Sequence, residues 1–88
     1  MTNLKPPTVS TLIIDDEPAG RKTLRNLIQD HCPFLDLLGT ASSVQGAIAQ
    51  IEALQPELVF LDVELNPSTG FDVLDHFHNP AFKVKLCT

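Results

Sequence analysis

Five acidic residues carry the chemistry that this chain can offer. Asp15, Asp16 and Glu17 follow directly on the apolar run Thr11-Leu12-Ile13-Ile14, and Asp62 and Glu64 follow on Leu58-Val59-Phe60-Leu61. Carboxylates brought close together repel one another unless a cation joins them. Hard oxygen donors of this kind suit Mg²⁺, which takes one or two carboxylates together with phosphate and water oxygens. A carboxylate held beside such a cation can act as a nucleophile towards phosphorus.

The acids matter only if the chain brings them together, and the pattern of elements predicts that it does. The run 11–14 is short, apolar and ends at acids, as expected of a buried strand. Pro18 marks a helix start, because a first-turn Pro lacks only a donor that would be orphaned anyway. Leu24, Leu27, Ile28 and His31 then form a stripe at helical spacing, with Arg21, Lys22 and Arg25 off it, so a helix spans about 18–31. Cys32-Pro33 stops it. A second strand is expected over 35–39. A second helix is expected over about 43–54, with Ser42 and Gln45 as a capping box. A third strand over 58–61 reads as covered on both faces. Residues 66–70 form a loop, Phe71, Val73, Leu74 and Phe77 suggest a short third helix, and a fourth strand follows over 82–88. Residues 1–10, polar and with Pro6 beside Pro7, read as a flexible lead-in, leaving 11–88 as one domain.

Strands alternating with helical segments predict an α/β parallel sheet with helices on both faces. Ligands of such sheets bind outside the carboxyl ends of the strands. If the first and third strands are neighbours, Asp15, Asp16 and Asp62 meet there.

Composition narrows the functions. The chain has 88 residues, 43% of them hydrophobic and 19% charged, as suits one globular domain. Eleven acids against six bases give a net charge of −5, which argues against direct nucleic-acid contact by this segment. No apolar stretch reaches the length of a membrane span. Residues 1–10 lack the apolar core of a secretory signal. Cys32 and Cys87 form no C-x-x-C pair and are expected to be reduced thiols in a cytoplasm.

The residues that carry the acids also carry a resemblance. L-I-I-D-D-E-P at 12–18, L-V-F-L-D-V-E-L at 58–65 and P-S-T-G-F at 67–71 resemble the receiver domain of two-component response regulators. D-D-E-P-A-G-R-K-T-L-R-N-L-I at 15–28 is similar to the subgroup whose output is a LytTR-type DNA-binding domain. The resemblance covers about 9–88 and implies a flavodoxin-like, CheY-like doubly wound sheet. Its strand order would be 2-1-3-4, with the fifth strand and last helices of the family missing. It implies Asp62 as phosphoacceptor, and Mg²⁺ held by Asp15, Asp16, Asp62 and the backbone carbonyl of Glu64. Thr88 stands where the family has a hydroxyl that senses the phosphoryl group. The implied partners are a sensor histidine kinase and a transcription-regulating output domain.

The sequence departs from the family in two places. It stops at Thr88, before the strand that carries the family's lysine, and neither Lys83 nor Lys85 lies where that lysine would. The loop Asn66-Pro67-Ser68-Thr69 replaces the family's more usual M-P-G. If strand 4 is an edge, Val84 and Leu86 are expected to face solvent, and Leu24 and Ile28 of the first helix to be partly uncovered. A homo-oligomer joined through that edge is then expected.

Competing readings are an interaction fragment with no phosphorylation and a Mg²⁺-dependent phosphatase built on Asp62. Asp15, Asp16 and Glu17 could also merely complement the dipole of the first helix. His76 and His78, two apart, do not share a helix face, and His31 reads as a partly buried stripe residue.

Overall fold

The computed structural model describes residues 8–87. The elements run β1 (Val9–Ile14), α1 (Pro18–His31), β2 (Leu35–Ala41), α2 (Val44–Leu54), β3 (Leu58–Asp62), β4 (Glu64–Leu65), β5 (Ser68–Thr69), α3 (Gly70–His76) and β6 (Lys83–Cys87). β2, β1, β3 and β6 form, in that order, one parallel sheet. This is the expected order 2-1-3-4, with β6 as the fourth strand of the sheet. β4 and β5 add a small antiparallel hairpin, whose turn and second strand fall in the segment 66–70 expected to be a plain loop.

β1 is buried on both faces, which explains its unbroken apolar run. Leu12 and Ile14 face α2 and α3 and join Val59, Leu61, Ala47, Ile51, Leu65, Val73 and Phe82 in the core. Ile13 points to the opposite face, where α1 packs on β1 and β2 and buries Ile28. Each such aliphatic side chain taken fully from water contributes about 1.5–3 kcal/mol. Thr11 is the one buried polar residue among those described, and its hydroxyl is satisfied by the Val9 carbonyl at 2.9 Å.

Several expectations need correction. β1 begins at Val9, so the lead-in expected over 1–10 gives up its last two residues. Ser10 is tied into the sheet by reciprocal bonds: its N–H and hydroxyl donate to Glu57 Oε1, and its hydroxyl and carbonyl accept the Glu57 N–H. β3 is fully buried only through Val59 and Leu61, with Leu58 and Phe60 half-covered. α2 is capped by Ser43, whose Oγ accepts the Gly46 N–H at 3.0 Å, so the box expected at Ser42 and Gln45 does not form. Asp72 Oδ2 instead caps α3 by accepting the Thr69 N–H at 3.0 Å.

On α1, Ile28 is buried rather than uncovered, Leu24 is half-buried, and His31 is exposed. It is Leu27 that stands out, 51% exposed. On β6, Val84 packs against the core while Leu86 is 44% exposed. No helix among the described residues is long and apolar enough to cross a membrane. The expected phosphoryl-sensing Thr88 and residues 1–7 of the expected lead-in lie outside the described residues.

Candidate functional site

Register builds the site. Ile14 pairs with Leu61 across β1 and β3, so the residues that follow, Asp15 and Asp62, leave the sheet side by side. β1 also pairs with β2 on its other side. The crevice therefore opens where the chain order reverses, at the carboxyl ends of the strands. Asp15, Asp16 and Asp62 are all half-buried there, and each offers an oxygen within 4.8 Å of the others.

Short-range bonds aim each carboxylate. Asp15 Oδ1 accepts the Glu17 N–H at 2.9 Å, and the Asp15 carbonyl accepts Arg21 Nη1 at 2.7 Å. Glu17, the residue before Pro18, makes no side-chain cap, and the first turn of α1 contains no acid. The acids thus turn towards the crevice rather than onto the helix. Asp62 Oδ1 accepts the Glu64 N–H at 3.0 Å. Asp16 Oδ2 accepts from Asn66 of the hairpin.

Two glycines make close approaches at the site feasible, one to a side chain and one to backbone. A Cβ on Gly20 would fall on the Asp15 carboxylate, and a Cβ on Gly70 would fall on the Asp62 carbonyl oxygen. Gly70 is also held by its N–H on the Val63 carbonyl at 2.7 Å. The glycine of the G-F pair therefore serves the turn that carries Asp62.

The charges conflict. Burial raises the Asp62 pKa above its ordinary value, the Glu64 N–H opposes that shift, and the neighbouring Asp15 and Asp16 carboxylates raise it further. A cavity of about 350 Å³ stands over this group, lined by Asp15, Glu17, Gly20, Asp62, Val63, Glu64 and Cys87. Burial, and then the charge of Asp62, raise the Cys87 pKa despite Lys85. These surroundings favour the protonated thiol, the poorer nucleophile.

Of the residues expected at the site, Asp15, Asp16 and Asp62 converge and Glu64 lines the cavity. Gly20, Arg21, Asn66 and Cys87 are not among the residues expected at the site: Arg21 reads as off the stripe of the first helix, Asn66 as a loop residue and Cys87 as a plain thiol. Gly20 and Arg21 lie in the first turn after the acids, which is a local signal. Asn66 and Cys87 reach the site only through tertiary folding.

A larger groove of about 620 Å³ opens at the other end of the sheet, between the end of α2 and the segment before β6. Its charged lining is Glu52 and Glu57. Glu52 faces His76 at 3.7 Å, and Glu57 is engaged by Ser10. Neither groups with other acids as Asp15, Asp16 and Asp62 do.

Residues 11–88 match the family model for the response regulator receiver domain. A protein-glutamate methylesterase/protein-glutamine glutaminase of Geobacillus kaustophilus is 36% identical over 67 residues, covering 76% of this chain and 19% of that protein. The sensory transduction protein LytT of Enterococcus faecalis is 38% identical over 64 residues, covering 73% of this chain and 26% of that protein. The chain thus spans about a fifth to a quarter of the length of these relatives. A LuxR-family two-component response regulator from Aurantimonas sp. SI85-9A1 shares the fold. Its TM-score is 0.81 at 22% identity, over 90% of this chain and 57% of that one.

Proposed function

This chain belongs to the response regulator receiver domain family, and on that premise we propose that it accepts a phosphoryl group on Asp62, with Mg²⁺ bound, to switch an output domain. The convergence of Asp15, Asp16 and Asp62 at the ends of β1 and β3 carries this reading. The donor set fits Mg²⁺: three hard oxygen donors, half-buried, with a proton affinity at Asp62 raised by burial and then by the neighbouring carboxylates. Asp15, Asp16, Asp62 and the Glu64 backbone carbonyl would hold the ion. When bound, it neutralises the carboxylates and the incoming phosphoryl oxygens.

The chain's own residues supply the remainder. The Glu64 N–H holds Asp62 through Oδ1, and Oδ2 is the attacking oxygen in this reading. The Oδ2–P bond forms as the bond from phosphorus to the donor breaks, and the donor group leaves with that electron pair. The work is positioning and charge stabilisation around an in-line transfer. The sensor histidine kinase is the proposed donor, in the cytoplasm, and Thr88 the hydroxyl that senses the product. The D-D-E-P-A-G-R-K segment and the similarity to LytT support an output of LytTR type that regulates transcription. The domain signals; its catalysis extends to its own phosphorylation and dephosphorylation.

Acetyl phosphate with Mg²⁺ tests the reading. Mass spectrometry is expected to find one phosphoryl group, on Asp62, absent without Mg²⁺ and absent in Asp62→Asn. Labelling that persists in that variant, or none in the unsubstituted chain, would overturn it.

A further inference from the structure

The β4–β5 hairpin reaches the acidic cluster through Asn66. Both of its amide groups donate to the same oxygen: the backbone N–H lies 3.2 Å and Nδ2 3.4 Å from Asp16 Oδ2. The two residues are 50 positions apart, so only the folded sheet brings them together. Among the described residues, no hydrogen bond is donated to Asp16 Oδ1. The hairpin also connects the phosphoacceptor candidate to α3: Asp62 lies two residues before β4, and Gly70, the first residue of α3, follows β5.

We propose that Asn66 is a positioning residue for the metal face of the site, fixing Asp16 through Oδ2 and reserving Oδ1 for the cation. This rests on the reading of Asp16 as a Mg²⁺ ligand. A carboxylate without hydrogen-bond partners turns about its side-chain torsions, and that freedom is lost when a cation binds. Two donors on one oxygen restrict it beforehand, so less order has to be created on binding. Donors to a ligating carboxylate act in this way at metal sites generally, and removing one commonly lowers affinity tenfold or more. Here the backbone donor survives truncation of the side chain, so a smaller loss is expected. The same contact makes the hairpin respond when the cation arrives.

NMR titration of the 88-residue chain with Mg²⁺ alone tests this. In the unsubstituted chain the Asn66 backbone and Nδ2 amide resonances should shift along one saturation curve with those of Asp15 and Asp16. Asn66→Ala should bind Mg²⁺ about threefold to tenfold more weakly, and Asn66→Ser, which keeps a donor, should recover part of the loss. Equal or tighter binding by Asn66→Ala would overturn the proposal; tighter binding would mean that Asn66 competes with the cation. Should Asn66→Ala fail to fold, the unsubstituted chain still decides: Asn66 resonances that stay still while Mg²⁺ saturates its neighbours would also overturn it. Failure of the unsubstituted chain to bind Mg²⁺ would remove the metal reading and this one together, whereas binding indifferent to Asn66 removes this one alone.

Discussion

Asp62 sits where burial and two neighbouring carboxylates all favour its protonated form, against one backbone N–H that favours the ionised form. A carboxyl whose folded pKa is raised holds its proton to higher pH in the fold than in the unfolded chain. Its contribution to stability is therefore fully present below the unfolded value of about 3.9 and is lost as pH rises through the raised folded value. At neutral pH the ionised group strains the fold. Asp62→Asn is thus expected to unfold at higher denaturant concentration than the unsubstituted chain at pH 7, with the difference shrinking towards pH 3. Urea titrations at the two pH values measure it. Lower stability of the Asp62→Asn variant at pH 7 would show that the Glu64 bond outweighs the repulsion.

At the scale of elements, the junction between β3 and α3 fixes where the phosphoacceptor candidate stands. Gly70 opens α3 directly against the backbone of Asp62, and a Cβ there would also come within 3.1 Å of Leu61 Cγ. Neither neighbour can yield cheaply, since one is backbone and the other is core. Gly70→Ala should therefore destabilise the chain by about 1–3 kcal/mol, the usual range for overpacking. It should also displace the Asp62 turn, visible as amide shifts at Val63 and Glu64. A variant as stable as the unsubstituted chain would mean that α3 can slide on the sheet.

At the scale of the molecule, β6 is one edge of the sheet among the described residues. Its free backbone groups and the half-exposed Leu86 are the features that invite strand pairing with a second copy. Lys83 and Lys85 oppose it, and each copy carries a net charge of −5. Like charges over these distances are screened by salt, with a Debye length of about 10 Å at 0.1 M and about 3 Å at 1 M. Self-association through β6 is expected to strengthen with ionic strength and to weaken in Leu86→Lys. Sedimentation equilibrium in low and high salt reports both; a monomer at micromolar concentration in each would exclude the edge contact.

The sequence by itself determined the parts whose causes are local or periodic. Pro18 and the stripe behind it located α1, the apolar runs located β1 and β3, and the alternation of strands and helices required a parallel sheet. Right-handed crossovers then left few orders for the strands, and the acids at two strand ends had to share a crevice if β1 and β3 were neighbours. Tertiary structure decided what no window of sequence contains. Whether Ser42 or Ser43 capped α2 depended on where β2 ended. Whether Ile28 or Leu27 faced water depended on how α1 lay across β1 and β2, a rotation that a broad stripe leaves open. The hairpin at Glu64–Thr69 was hidden because each of its strands has two residues, too short for any period to register. Asn66 met Asp16, and Cys87 met Asp62, because the register of parallel strands joins residues far apart in the chain. Such contacts follow from how the core closes, and the core is a property of all the elements together.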